Sequence, residues 1–337
     1  FSDAGSDFLF KSFRNGVVED PLMNFAFRIL PTLIFFSSLI AVLYHIGIMQ
    51  FIIKWIARVM QKSMATSGSE TLCVSGNIFV GQTEAPLLVR PFISKMTKSE
   101  LMAIMVSGFA TVAGGVMAMY VSMLGDIPGI AGHLLAASIM SAPAALVIAK
   151  IIYPETETSE TFGDIKIALD NKNDNIMEAL SNGATNGMKL AANVAAMLVA
   201  FVAIIAMVNA ILGLMDLSLQ QIFGWLFSPL AWVMGVPWTE AGIIGSLMGE
   251  KLVLTELIAY GDLAKLIATN SISDRSAIIA SYALCGFANF ASVGIQLGGI
   301  GGIAPERRKD LAKLGLKAMF GGALASWLTA TIAGLLI

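Results

Sequence analysis

The sequence predicts an all-α polytopic membrane protein, folded as an inverted repeat with two re-entrant helical hairpins and discontinuous helices. Three observations predict it: an apolar composition, long windows free of charge, and two interrupted apolar stretches, one in each half. Of 337 residues, 56% are hydrophobic and 13% charged, against about 25% charged in a soluble domain. That excludes an ordinary water-soluble enzyme. A formal net charge of −2 without a basic stripe argues against a nucleic-acid partner. Cys73 and Cys285 stand far apart with no C-x-x-C pair, so neither a disulfide framework nor a zinc site is indicated.

The chain opens on Phe1 and shows no leader with a basic start and small-residue end. Residues 1–25 are expected on the outer side, after helices of a longer protein that precede them. A first unit, 26–153, then begins. Crossing a bilayer takes about 20 apolar residues, and windows 29–49, 101–125 and 130–149 reach that length with no charge. Between them, 69–92 is apolar but holds Glu70, Glu84, Arg90, Pro86 and Pro91. It reads as two short arms around a break, tolerated at membrane depth only inside protein or beside a wet cavity. A polar linker, 154–184, follows, most polar over 154–175. The second unit, 185–337, repeats the order. It has spans at 190–215, 276–304 and 318–337, and a hairpin at 237–268 interrupted by Glu240, Glu250, Lys251, Glu256 and Asp262.

Three matches join the halves. Gln50 and Trp55 pair with Gln220 and Trp225 at an offset of 170. Thr83-Glu84 pairs with Thr255-Glu256 at 172, and Gly108-Phe109-Ala110-Thr111 with Gly286-Phe287-Ala288-Asn289 at 178. Each unit then reads as long helix, interfacial helix, hairpin, helix with a polar centre, helix. It crosses three times, and an odd number turns the second unit upside down. Inverted repeats of this kind build secondary transporters, with sites near the midplane where the repeats meet. The positive-inside rule orients the scheme. Lys54, Arg58, Lys62, Arg90, Lys95, Lys98, Lys150, Lys166, Lys172, Lys189, Arg307, Arg308, Lys309, Lys313 and Lys317 fall on one side; Lys11, Arg14, Arg28, Lys251, Lys265 and Arg275 fall on the other. The first side is cytoplasmic and the C-terminus lies outside.

An ionised side chain at the bilayer centre costs about 2.5–3.5 kcal/mol on insertion scales, so intramembrane acids are functional candidates. Glu84 and Glu256 hold equivalent hairpin positions with no base in the same turn; a helix-capping carboxylate is the plainer alternative. Gln82 and Thr83 flank Glu84 at a break that Gly81 frees to turn, and an amide that donates and accepts suits a heterocycle edge. Asn289 and Ser292, three apart, share a helix face beside Gly286, Gly294, Gly298 and Gly299, which suggest unwinding; Phe287 offers an aromatic wall. Oxygen ligands for a cation such as Na⁺ are available from Asn77, the Val80 carbonyl, Thr111 and the Val112 carbonyl. His45 and His133 stand alone. The glycine run 298–302 lacks the lysine of a phosphate loop and reads as close packing or helix breaking. Trp55 and Trp225 fit interfacial anchors. Glu240 opens a helix after Pro237 and is left out of the site.

At these residues the chain resembles bacterial concentrative nucleoside transporters. The matching segments are N-I-F-V-G-Q-T-E-A-P-L-L-V-R-P-F (77–92), G-V-P-W-T-E-A (235–241), E-L-I-A-Y (256–260) and C-G-F-A-N-F-A-S (285–292). The resemblance covers essentially the whole chain and implies about two further helices upstream. It implies a homotrimer in the bacterial inner membrane, each protomer sliding a transport domain against a scaffold domain that includes the helices at 29–49 and 190–215. Gln82, Thr83, Glu84 and Val116 would surround a nucleobase, with Phe287 at its border. Glu256, Asn289 and Ser292 would hold ribose hydroxyls. Asn77, Val80, Thr111 and Val112 would bind Na⁺ as the coupling ion, and no organic cofactor is expected. Thr255 departs from the Asn common in the family, and Thr111 from the common Ser. The alternatives are proton coupling, a channel, and an intramembrane hydrolase using Glu84 and Glu256 as an acid/base pair.

Overall fold

A computed structural model describes Phe27 and residues 30–161 and 173–337. The 1–25 segment, the linker acids Asp164 and Asp170, and Lys11, Arg14, Arg28, Lys166 and Lys172 lie outside the described residues. Within them the secondary structure is helical throughout, in two units of the same element order.

The first unit opens with α1 (Leu30–His45), which turns at Gly47, φ +88°, into the amphipathic α2 (Ile48–Met64). The bend is 77°, and it ends the 29–49 window early. Hairpin 1 rises as α3 (Gly68–Asn77), started by a capping box between Ser67 and Glu70, a reciprocal arrangement that satisfies orphan amides of the first turn. It returns as a 3₁₀ segment, Ala85–Lys95, with Pro86 at its start and Pro91 inside. Pro91 lacks the amide that an α-helical bond to the preceding turn would need, which disfavours a regular α-helix there. Thr97 and Glu100 cap α4 (Lys98–Ala110) with a second box. The chain then runs extended at Thr111, φ −118° and ψ 167°, before α5 (Gly114–Met123). The Gly114 amide, orphaned at this new start, donates to the Phe79 carbonyl of hairpin 1 at 2.9 Å. α6 (Ile130–Ile152) closes the unit.

The second unit repeats the plan. α7 (Ile176–Leu212) is 37 residues long and begins where Asn175 accepts from the Glu178 amide, so 176–184 is helical rather than linker. Its 202–215 end meets α8 (Leu219–Val233) at 86°, the counterpart of the α1–α2 bend. Hairpin 2 is α9 (Trp238–Val253) and α10 (Glu256–Ala268). α11 (Asp274–Leu284) and α12 (Phe290–Ile303) replace the 276–304 window with two short helices, and α13 (Arg308–Leu336) ends the chain. Among the described residues, three stretches can cross a membrane by length and composition: Lys98–Met123, Ile130–Ile152 and Pro305–Leu336. Counting each bent pair as one span raises this to as many as five.

Two packing layers position the site. α1 lies along α7 because Gly183 and Gly187 let the backbones touch: a Cβ at either would sit 2.6 Å from an α1 Cα, Ser38 or Ile34. Small residues four apart serve close helix contact in membranes. In the other layer, α13 packs on α4, α6 and α11, with Gly322 against Phe109 and Gly321 against Val106.

Candidate functional site

Helix ends carry backbone groups with no partner inside their own helix. Here both hairpin apices and both helix breaks, Thr111–Ala113 and Cys285–Asn289, come to one place. Between them lies a cavity of about 200 Å³. Gln82, Thr83, Glu84, Val116, Glu256, Phe287, Asn289 and Ser292 all line it, joined by Tyr120, Thr255 and, from α7, Leu190 and Val194.

The two acids sit differently. Glu256 is buried, and both its oxygens are engaged: the Tyr120 hydroxyl donates to Oε1 at 3.0 Å, and Asn289 Nδ2 to Oε2 at 2.8 Å. Glu84 is exposed to the cavity and accepts from the Gly81 amide at 3.0 Å; it lines the pocket and braces its own turn. Gln82 Oε1 accepts from Gln296 Nε2 at 3.1 Å, and that amide also donates to the Met105 carbonyl at 3.1 Å. The pair needs Gly108, where a Cβ would fall 2.7 Å from Gln296 Nε2 and 3.0 Å from the Gln82 Cβ.

Asn289 and Ser292 are neighbours for a different reason than a shared helix face. Asn289 is the N-cap of α12, and its Oδ1 accepts from the Ser292 amide at 2.8 Å while Nδ2 serves Glu256. The unwinding is confined to Cys285–Asn289, where Gly286 has φ +111°. Gly298 to Gly302 stay helical, and Gly299 permits contact with Thr83, whose Cγ2 would lie 2.6 Å from an added Cβ. Of the two readings of that run, helix breaking does not occur, and close packing holds at Gly299 and Gly301.

The oxygen set named for a cation falls on two touching segments, the end of α3 with its turn and the break after α4. Asn77 is fully buried; Nδ2 donates to Ser107 Oγ at 2.7 Å, and Oδ1 has no hydrogen-bond partner. Thr111 donates to the Ser107 carbonyl at 2.8 Å, which leaves its oxygen lone pairs available. An orphaned buried acceptor wants a partner, and a hard cation takes oxygen ligands of this neutral kind. The residues present fit such an ion.

Sequence reasoning missed four residues that hold the site. Tyr120 stacks on Tyr260, rings 4.2 Å apart and 23° from parallel, and Tyr260 donates to the Ser281 carbonyl at 2.6 Å. Gln296 lies four after Ser292 and seven after Asn289, a helical spacing that would have found it. Lys251 carried a signal too, as a lysine inside an apolar hairpin.

A cavity with acids and amides set in a mostly apolar lining, between paired, inverted, half-inserted hairpins, defines a membrane carrier rather than an enzyme. Comparison with known proteins gives the family. Residues 133–334 match the model of the Na⁺ dependent nucleoside transporter C-terminus, and 26–127 match a nucleoside recognition gate. The chain belongs to the concentrative nucleoside transporter family. It is 49% identical to an uncharacterized transporter of Haemophilus influenzae over 93% of this chain and 76% of the relative. It is 42% identical to the rat sodium/nucleoside cotransporter 1 over the whole of this chain and 54% of the relative. The solved structure of CNTnw in an inward-facing substrate-bound state superposes at TM-score 0.90 with 47% identity, covering 99% of this chain and 81% of that one. An outward-facing CNTnw variant gives the same TM-score at 46% identity, with the same coverage. The hydrolase reading of Glu84 and Glu256 is thereby overturned: the family transports nucleosides.

Proposed function

We propose that this chain imports nucleosides together with sodium, in an elevator-like alternating-access motion. The observation that carries the reading is the convergence of all eight polar and apolar candidates on one cavity, beside a buried Asn77 oxygen without a partner. Gln82, Thr83 and Glu84, with Val116, face the nucleobase, and Phe287 borders it. Glu256, Asn289 and Ser292 take the ribose hydroxyls. Each Glu256 oxygen has already one donor and keeps lone-pair capacity for a sugar O–H.

Asn77, Val80, Thr111 and Val112 would hold Na⁺, supplying charge that the membrane potential can drive. A cation there joins the hairpin 1 turn to the break after α4, so it orders the apex that carries Gln82 to Glu84 before nucleoside binds. Each net charge moved inward across 100 mV gains about 2.3 kcal/mol, enough for roughly a 50-fold gradient of neutral solute. α1 with α7 forms the static scaffold, and Leu190 and Val194 are the wall past which the hairpins slide. Large apolar side chains face outward on α7 and α8, among them Val199 at 74%, Trp225 at 67% and Leu226 at 66% exposure. They suit lipid and the contacts of a homotrimer in a bacterial inner membrane, with the C-terminus outside.

Reconstitution tests it. Uridine should accumulate in proteoliposomes under an inward sodium gradient at constant pH. Uptake that follows a proton gradient and ignores sodium would replace sodium by proton coupling.

A further inference from the structure

Ser292, Gln296 and Gly299 follow one another at helical spacing on α12, so they share a face. That face runs from the cavity along the apex of hairpin 1: Ser292 lines the cavity, Gln296 reaches Gln82, and Gly299 admits Thr83. Gln296 belongs to the second unit, while the residues it meets belong to the first. It is wholly buried and does not itself line the cavity.

Which end of a buried amide is the nitrogen follows from its partners. A main-chain carbonyl only accepts, so the Gln296 end that lies 3.1 Å from the Met105 oxygen is Nε2. The reverse setting would press two acceptors together. The same nitrogen lies 3.1 Å from Gln82, so the Gln82 atom that faces it is Oε1. Gln82 is buried but lines the cavity. With its oxygen turned to Gln296, the end left for the cavity is the NH₂ group, which only donates. Gln296 keeps this setting at a cost, because its own Oε1 has no hydrogen-bond partner. An unpaired buried acceptor destabilises, so an apolar side chain of the same length would serve packing alone better.

We propose that Gln296 is a positioning residue for base selectivity. It holds Gln82 with the NH₂ toward the substrate, so hairpin 1 reads the nucleobase at that point with a donor and takes a base that offers an acceptor there. The proposal rests on the nucleoside reading above and adds to it a residue outside the cavity that decides which base edge fits.

The test is competition binding to the purified full chain at saturating sodium, with uridine, cytidine and 2′-deoxyuridine as competitors. Uracil carries an acceptor at position 4 and a donor at position 3, and cytosine the reverse, so a fixed donor tells them apart whichever position it meets. Wild type should separate the two by at least about fivefold. Gln296→Met keeps the length and loses both donors, which frees Gln82 to turn; uridine and cytidine should then bind within about twofold of each other. The ratio of uridine to 2′-deoxyuridine reports the ribose contacts and should stay as in wild type. Gln296→Glu sets an oxygen against Gln82 and should reverse the wild-type preference. A wild type that binds uridine and cytidine alike overturns the proposal alone. So does a uridine-to-cytidine ratio in Gln296→Met that equals wild type, or that shifts only together with the deoxyuridine ratio. If Gln296→Met does not fold, a wild-type preference kept in Gln296→Glu overturns it. A wild type that binds none of the three overturns the nucleoside reading, and the proposal with it.

Discussion

Glu256 makes the sharpest prediction at the scale of single residues. Replacing it with Gln keeps the volume and removes the charge-assisted acceptor, a contact worth about 1.5–3 kcal/mol. Affinity for uridine should fall roughly 10- to 100-fold, while affinity for the free base should change less than about threefold, because the contacts proposed for the base belong to the other hairpin. Competition binding measures both; equal losses would remove the ribose assignment. Asn77→Ala should raise the sodium concentration for half-maximal uptake by about tenfold, equal to about 1.4 kcal/mol of ion binding, with a smaller effect on uridine affinity at saturating sodium. A sodium titration of uptake decides it. Residue types at the site were legible because intramembrane acids and amides are rare enough to be conspicuous. Tyr120 was not legible, since a tyrosine in an apolar helix gives no sign that its hydroxyl meets an acid 136 positions away.

At the scale of elements, hairpin 1 is fastened at its base. The buried Glu70 pairs with Lys150 of α6 at 2.7 Å, and Lys150 also donates to Ser99 at 3.0 Å. Arg307, at the start of α13, donates to the Ser94 and Met96 carbonyls at 3.0 and 2.6 Å. Lys150→Met should destabilise the protein by about 3 kcal/mol, because it strands a buried carboxylate. Adding Glu70→Gln should recover most of the loss. A double-mutant cycle on thermal unfolding checks this, and additive losses would contradict it. The hairpins were readable as elements because charge and proline interrupt apolar runs too short to cross. Their inner forms were less readable. The return arm of hairpin 1, with Pro86 at its start and Pro91 inside, is a 3₁₀ segment, while hairpin 2, with no proline inside either arm, has two α-helices.

For the whole molecule, the symmetry of the plan was written in three short matches, and the structure repeats them as paired bends of 77° and 86°, paired hairpins and paired breaks. The extent of each span was not legible. Hydropathy cannot see that Gly47 turns the chain after α1, or that Cys285–Asn289 divides a 29-residue apolar window, since both are backbone events inside uniformly apolar sequence. Scaffold rigidity is a property at this scale. Gly187→Leu would drive a side chain into the α1 backbone, and overpacking of this kind costs about 1–3 kcal/mol. Heat inactivation of the purified protein should come at lower temperature, with uridine affinity below the transition unchanged.

On the proposed function, the two hairpins hold opposite ends of one substrate in one cavity. A density map of the protein with uridine and sodium tests it most directly. The base should lie within hydrogen-bond distance of Gln82 or Glu84 and the ribose hydroxyls on Glu256. Uridine bound against one hairpin alone, or outside the cavity between the two helix breaks, would contradict it.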